Sequence, residues 1–172
     1  MKKRRILVVG GIAAGPSAAA KAVRTNPAAE VTLFEATGTV SYGICEAPYA
    51  IGGLIADEEK LVAYTPERLR DEKGIEVKTL HRVEQITPAG HRIAVRDLRN
   101  RTVAEVEYDK LIIATGARPR CLNVAGEDGR NVFHLGSRAD TLNILAYLKT
   151  ESPARAVIVG GGYIGMEMSE AL

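Results

Sequence analysis

The segment SYGICEAPYA, residues 41–50, contains one isolated cysteine. Most lone cysteines are small buried side chains. A thiolate at a helix N-terminus is instead stabilised by free N–H groups and becomes a nucleophile. Pro48 is compatible with the first turn of a helix that begins near Cys45 or Glu46. Cys45 is therefore either a structural side chain or a redox thiol.

The residues around Cys45 argue against an internal dithiol. With four intervening residues, a common spacing in dithiol enzymes, the partner position is Ala50. If Cys45 is oxidised and reduced in turn during catalysis, it must form a sulfenic acid or a mixed disulfide with an outside thiol. The other cysteine, Cys121, is interpreted as structural or incidental.

A glycine-rich opening near the N-terminus has the chemistry of a diphosphate site. A diphosphate at a helix N-terminus needs a tight turn and N–H groups that point at the anion. The opening consists of Gly10, Gly11, Ile12, Ala13, Ala14 and Gly15. Its first and last glycines match G-x-G-x-x-G, and Ile12 departs from the pattern. Glu35, twenty residues after Gly15, is placed to bind the ribose hydroxyls of an adenosine.

A second opening lies about 150 residues later in the chain. Gly160, Gly162 and Gly165 match G-x-G-x-x-G in full, directly after AVIV. Its ribose-binding acid would lie beyond Leu172, so the pattern does not distinguish NADH from NADPH. For both openings, the alternative is a glycine turn without a ligand.

The tripeptide Ala114-Thr115-Gly116 ends another apolar run. Thr and Gly at a strand end let the backbone approach a ligand. Two dinucleotide openings in one chain indicate two cofactors, a flavin in the first and a nicotinamide in the second. The flavin would then pass two electrons onward, and a stabilised cysteine thiolate is a suitable acceptor.

The elements that position these residues follow from short apolar runs and helix signals. RRILVVG and EVTLFE are predicted strands around a helix PSAAAKAVRTNP, which forms one β-α-β unit. TPERLRDEKG is a predicted helix with Thr65 as N-cap, Pro66 at its first position and Gly74 as its stop.

The second half of the chain continues with strands and two further helices. IEVKTL and KLIIATGARP are predicted strands, and HRIAVRDLRNRTVAEVEYDK is a predicted antiparallel hairpin. SRADTLNILAYLKT is a predicted helix, and RAVIVGGGYIGMEMSEAL is a predicted strand, turn and helix start. In this last helix, Ile164, Met168 and Leu172 would share a face with little to cover it.

Together these elements predict an α/β fold. It is a Rossmann-like three-layer FAD/NAD(P)-binding domain with an inserted antiparallel hairpin or meander, followed by the truncated start of a second dinucleotide-binding domain. The predicted bounds are 1–120 for the FAD-binding domain, 121–152 for a connecting segment and helix, and 153–172 for the start of the NAD(P)-binding domain.

Composition excludes several other classes of protein. Net charge is +2, and the basic run KKRR is too short for a nucleic-acid footprint. No apolar segment reaches the ~18 residues of a membrane span. Three scattered histidines lack ligand spacing, so no metal site is expected. Two cysteines make no disulfide framework, which favours a cytoplasmic, reducing compartment.

These motifs resemble the pyridine nucleotide-disulfide oxidoreductases over essentially the whole chain. The resemblance is to the single-cysteine branch: coenzyme A-disulfide reductases, persulfide reductases, NADH oxidases and NADH peroxidases. AYTPERLRDEKGIEVKTLHRVEQI and SYGICEAPY are most similar to segments of the coenzyme A-disulfide reductases. Family members are much longer, so the sequence is expected to be an N-terminal portion.

The resemblance implies FAD in the first domain and NADH or NADPH in the second. Gly10, Gly15 and Glu35, followed by Ala36, would serve the FAD diphosphate and ribose. Val83 would meet adenine through its backbone, and Ala114, Thr115 and Gly116 would close over the cofactor. Cys45 would be the redox thiol at the flavin ring. Arg24 and Ser41 would contact a coenzyme A-like substrate, and the full-length protein would be a homodimer.

One departure from the family leaves the substrate open. Ile44 stands before Cys45, where that branch usually has Asn, and Ile cannot hydrogen-bond a thiol ligand. The first hypothesis is an FAD-dependent NAD(P)H reductase of a disulfide, persulfide or polysulfide. The second is an NADH oxidase or peroxidase with a cysteine sulfenic acid. The third, for the isolated chain, is a non-catalytic FAD-binding fragment.

Overall fold

The computed structural model describes residues 3–172 and divides them into two compact units. One comprises the chain up to Tyr42 together with Val62–Gly116, and the other comprises Gly43–Leu61 and Ala117–Leu172. The strands are β1 (Arg5–Val9), β2 (Glu30–Phe34), β3 (Ile75–Lys78), β4 (His81–Thr87), β5 (Arg92–Asp97), β6 (Thr102–Glu107) and β7 (Lys110–Ile113). The α-helices are α1 (Ala14–Thr25), α2 (Ala47–Ile51), α3 (Pro66–Lys73), α4 (Arg138–Glu151) and α5 (Tyr163–Ala171).

A parallel sheet with strand order β3-β2-β1-β7 forms the centre of the first unit. β1 is flanked on both sides, so that Val8 pairs with Leu33 of β2 and with Ile112 of β7. A strand flanked on both sides and covered on both faces reads as a continuous apolar run, which is what RILVV shows. The β-α-β unit predicted from the sequence is confirmed.

The two faces of this sheet are covered by different layers. On one face, Val8, Leu33 and Ile75 pack with Ala19 of α1 and Leu69 of α3. Helix α3 has the predicted ends, because the Thr65 side chain accepts a hydrogen bond from the Arg68 N–H and Gly74 adopts a left-handed conformation.

An antiparallel meander of β4, β5 and β6 covers the other face. Leu7 and Phe34 of the parallel sheet form one buried cluster with Ile93 and Val95 of β5 and with Tyr108. The predicted hairpin is confirmed as β5–β6, and β4 extends it to the meander. The three-layer α/β fold class is therefore correct.

The second unit is helical where its elements are assigned. Helix α2 packs against α4 and α5, and the buried side chains Ile51, Ile144 and Met168 meet there. The expectation of an uncovered α5 face is wrong at Met168. It holds at Ile164 and Leu172, which stay exposed.

The predicted strand AVIV before the second opening is wrong. No residue of 3–172 pairs with Ala156–Val159 in a β-ladder, and the segment is exposed. An apolar β-branched run is recognised as a strand only when a neighbouring strand supplies its hydrogen bonds. The predicted domain bounds stay predictions.

Within the described part of the chain, no helix is long and apolar enough to cross a membrane. Across the same residues, no three His, Cys, Asp or Glu side chains are grouped as metal ligands.

Candidate functional site

The first glycine of the N-terminal opening stands where no side chain fits. Gly10 has φ +104°, and a Cβ at this position would lie 2.1 Å from the carbonyl oxygen of Ala114. Its N–H donates to the Phe34 carbonyl at 2.8 Å, and the Ala114 N–H donates to the Val9 carbonyl at 2.7 Å. Gly10 therefore lets the ends of β1, β2 and β7 converge on one turn.

At the other two glycines of the opening, close packing also leaves no room for a side chain. A Cβ at Gly15 would lie 1.8 Å from the Gly10 carbonyl oxygen, so α1 begins against the turn itself. A Cβ at Gly11 would lie 2.9 Å from side-chain atoms of both Glu35 and Val40. The departure from G-x-G-x-x-G at Ile12 leaves this tight turn intact.

Glu35 is a buried carboxylate that ties the turn to the end of β2. Its Oε2 accepts from the Gly11 N–H at 2.7 Å, and its Oε1 accepts from the Thr37 N–H at 2.7 Å. Each carboxylate oxygen keeps a further lone pair, so the group can also accept from hydroxyl donors. The structure places Glu35 at the glycine turn, with Ala36 next to it after the end of β2.

The start of helix α1 has the properties of an anion site. Its N-cap residue is Ala13, and no side-chain capping hydrogen bond is formed there among the described residues. The first turn of the helix contains no acidic residue. Ala13 and Ala14 are exposed and Ile12 is partly buried. Uncapped N–H groups and the helix dipole favour a bound phosphate or diphosphate.

Further predicted residues lie at the same edge of the parallel sheet. Thr115 and Gly116 follow β7 and are exposed, with Gly116 at φ +70°. His81, at the start of β4, donates its N–H to the Glu35 carbonyl at 2.9 Å, which brings the strand of Val83 to this edge. In doubly wound folds, ligands bind at the carboxyl ends of the strands.

Ser41 joins this site through its backbone, whereas Arg24 does not. The Ser41 N–H donates to the Gly11 carbonyl at 2.8 Å, and its φ of +52° is unusual for a serine. Its side chain is buried, and its Oγ has no hydrogen-bond partner among residues 3–172. Arg24 is exposed in the last turn of α1.

Cys45 lies in a 3₁₀ turn, Ile44–Glu46, that runs directly into α2. The predicted helix start is confirmed, with Pro48 in the first turn of α2. Cys45 is exposed, so the interpretation as a small buried side chain is wrong. Ala50, at the position of a second thiol, is buried. Cys121 is exposed as well.

The second opening reproduces the local geometry of the first. Gly160 has φ +104°, and a Cβ at Gly165 would lie 2.4 Å from the Gly160 carbonyl oxygen. Helix α5 begins after Gly162 with no side-chain cap from the described residues and without an acid in its first turn. The start of α5 therefore has the same features that favour a bound anion at the start of α1, and it lies in the other compact unit.

One ion pair of the second unit was not predicted from the sequence. Arg138, the first residue of α4, forms an ion pair with Glu58 and Glu59. The two carboxylates stand 79 and 80 residues away from Arg138 in the chain, and no local pattern signals such a contact.

Comparison with known proteins places this geometry in a family. The sequence profile described as pyridine nucleotide-disulphide oxidoreductase matches residues 4–172. A coenzyme A disulfide reductase of Staphylococcus epidermidis is 34% identical over 168 residues, with 98% of this chain and 38% of that protein covered. A Pyrococcus abyssi NAD(P)H sulfur oxidoreductase, described as CoA-dependent, is 36% identical over 169 residues, with 98% and 37% covered.

A solved structure shows the same architecture. The crystal structure of reduced Bacillus anthracis CoADR-RHD superposes with a TM-score of 0.94 at 33% identity, covering 99% of this chain and 31% of that one. The chain thus spans less than two fifths of the length of these relatives.

Proposed function

The chain belongs to the pyridine nucleotide-disulphide oxidoreductase family, and from that premise we propose an FAD-dependent NAD(P)H oxidoreductase that reduces a sulfur substrate through Cys45. The substrate class is a coenzyme A disulfide, persulfide or polysulfide. The observation that carries the proposal is an exposed Cys45 whose dithiol position is filled by Ala50. Relatives named for coenzyme A disulfide and CoA-dependent sulfur reduction support it.

FAD is assigned to the first opening because the residues there fit its diphosphate and ribose. The turn Gly10–Gly15 would offer backbone N–H groups to the diphosphate, and Glu35 would accept from ribose hydroxyls. Ala36, Val83 and the run Ala114-Thr115-Gly116 would border the rest of the cofactor. When bound, FAD supplies the passage of two electrons from nicotinamide to sulfur.

NADH or NADPH is assigned to the second opening. Gly160, Gly162 and Gly165 form a turn like that of the first opening, before the uncapped start of α5. The turn would bind the nicotinamide dinucleotide through its diphosphate.

Cys45 supplies the covalent step. Its thiolate attacks one sulfur of a coenzyme A disulfide, forming a Cys45–coenzyme A mixed disulfide and releasing one coenzyme A thiolate. Two electrons then break the mixed disulfide, which restores the Cys45 thiolate and, with a proton, releases the second coenzyme A thiol. Overall, one disulfide, one NAD(P)H and one proton give two thiols and NAD(P)⁺.

Substrate recognition is assigned to Ser41 and Arg24. The Ser41 Oγ is buried and has no hydrogen-bond partner in the described part of the chain, and a bound substrate would supply that partner. Arg24 is exposed and suits a phosphate-bearing ligand. The Ile44 side chain cannot hydrogen-bond a thiol substrate, which weakens the case for coenzyme A disulfide and leaves persulfide, polysulfide or oxygen chemistry open. A cytoplasmic, reducing compartment suits an accessible thiol.

Steady-state NAD(P)H oxidation by the intact protein tests this proposal. Cys45→Ser should abolish turnover with coenzyme A disulfide and with coenzyme A persulfide. Cys121→Ser is the matched control, because it removes the other exposed thiol and should leave turnover unchanged. Full activity of Cys45→Ser would remove Cys45 from the mechanism. Cys45-dependent turnover with oxygen or peroxide alone would identify the oxidase chemistry instead.

A further inference from the structure

The segment that contains Cys45 is held within the second compact unit. It begins at Gly43 and returns at Leu61, and the Gly43 N–H donates to the Leu61 carbonyl at 2.7 Å. Between these ends, α2 packs on α4 and α5. A Cβ at Gly52 would lie 2.8 Å from the Ala171 carbonyl oxygen, so the contact with α5 is close. The base of the segment is therefore closed and its helix is packed.

The far side of the same segment is fixed by one side chain of α4. The Arg138 Nε donates to Glu58 Oε1 at 2.7 Å, and its Nη2 donates to Glu58 Oε2 at 2.9 Å. The Nη2 also donates to Glu59. Two parallel bonds from a guanidinium to a carboxylate fix orientation as well as distance. The group of Arg138, Glu58 and Glu59 is called the clamp below.

Within the clamp, the Arg138–Glu58 pair is largely buried, whereas the Glu59 side chain is 70% exposed. The side chains of Arg138 and Glu58 are only 21% and 9% exposed. The hydrogen bond that Arg138 donates to Glu58, and to a smaller extent the one it donates to Glu59, raises the pKa of Arg138 above its usual value, although partial burial opposes this. Exposed pairs contribute little, whereas breaking a largely buried pair is costly because a charge then loses its partner.

Arg138 itself is held on a rigid element. Ser137 is the N-cap of α4, and its Oγ accepts from the Asp140 N–H at 3.2 Å. Arg138 is the next residue, and Ile144 is buried two turns later. The guanidinium is therefore presented from a capped and packed helix.

We propose that Arg138 is a positioning residue for Cys45, acting through Glu58 and Glu59 to hold the segment Gly43–Leu61 in place. The role rests on the proposed function, because a covalent step requires its nucleophile at a fixed position. Loss of the clamp leaves Cys45 chemically unchanged but on a less ordered segment.

Amide hydrogen exchange of the intact protein, resolved by peptide, tests the clamp without any cofactor. In Arg138→Gln and in Glu58→Gln, exchange of Gly43–Leu61 should rise at least about fivefold, with β1 and β2 unchanged. Arg130→Gln is the matched control, because Arg130 is exposed and belongs to the same unit. Arg138→Lys keeps the charge but loses the two parallel hydrogen bonds to Glu58, so its exchange rate should rise by an intermediate amount.

If the exchange rate of Gly43–Leu61 rises by less than this in both glutamine variants, or rises equally in both compact units, the clamp does not hold this segment. If Arg138→Gln does not fold, Arg138→Lys and Glu58→Gln decide the same question.

Steady-state kinetics then distinguish a role of Arg138 in positioning Cys45 from a role in stability alone. In Arg138→Gln, kcat with coenzyme A disulfide should fall at least about fivefold, while KM for NAD(P)H stays within about twofold of the unmodified protein. Faster exchange with unchanged kcat would overturn the positioning role. If the unmodified protein itself shows no turnover, the proposed function fails, and the exchange result still decides the clamp.

Discussion

The two glycine openings have nearly the same local turn but very different surroundings. Gly10 and Gly160 share a φ of +104°, and in each opening the last glycine lies against the carbonyl of the first. The first turn is closed by its neighbours, since Ala114 packs on Gly10 and Glu35 bonds Gly11. At Gly160, Gly161 and Gly162, an added Cβ would meet no atom of the described residues within 4 Å apart from those of the adjoining residues.

The strands that lead into the two turns differ in the same way. Val9 ends a strand paired on both sides and is 8% exposed, whereas Val159 belongs to an unpaired run and is 78% exposed. Glycine spacing alone therefore fixes the turn and the helix start. The close packing on Gly10 and the pairing of β1 with β7 come from residues distant in the sequence.

Substitution of the first glycine should separate the two openings most strongly. Gly10→Ala should lower the free energy of unfolding by about 4 kcal/mol, because it combines a strained φ with a backbone collision. Gly160→Ala carries only the strain and should cost about 1 to 2 kcal/mol. Urea unfolding followed by circular dichroism measures both, and equal losses would refute the contrast.

Loss of the buried acid should affect only the first opening. Glu35→Ala removes the acceptor of the Gly11 and Thr37 N–H groups and should cost about 2 to 3 kcal/mol. It should also abolish FAD uptake in a titration. Glu167→Gln, an exposed acid of α5, is the control and should stay within about 0.5 kcal/mol. Undiminished FAD affinity in Glu35→Ala would contradict its assignment.

The anchoring of α5 is tested by two apolar residues of the same helix. Met168→Ala should cost about 2 kcal/mol, because Met168 packs with Ile51 and Ile144. Ile164→Ala should cost less than about 0.5 kcal/mol, because Ile164 is exposed. Amide exchange in α5 reports both changes, and similar protection in the two variants would show that Met168 is not the anchor.

The smallest effect is expected in the unpaired run. Val159→Thr should change the unfolding free energy by less than about 0.5 kcal/mol. Val9→Thr, the equivalent change in β1, should cost about 1 to 2 kcal/mol, since it buries a hydroxyl. Thermal melting of the two variants gives the comparison. A large loss in Val159→Thr would indicate a buried strand there.

Much of the fold could be predicted because its signals are local. The ends of α3 follow from three residues: Thr65 caps its N-terminus, Pro66 suits its first turn, and Gly74 ends it. The glycine turns and the position of Glu35 follow from spacing within one β-α-β unit. The family resemblance expected from these motifs is confirmed by the profile match and the relatives.

What failed depends on partners far along the chain. AVIV has the composition of a strand, but within residues 3–172 it has no neighbour to pair with. The clamp joins Arg138 to acids about eighty residues earlier, a separation that periodicity cannot detect. The cover over Met168 comes from Ile51 of α2, in the segment that contains Cys45.

Anaerobic reduction of the FAD-loaded intact protein tests the central claim most directly. The visible absorption band of the flavin should bleach with NAD(P)H in the unmodified protein, in Cys121→Ser and in Cys45→Ser alike. Coenzyme A disulfide should then restore the band in the first two proteins and not in Cys45→Ser. Equal recovery of the band in Cys45→Ser would contradict electron transfer through this thiol.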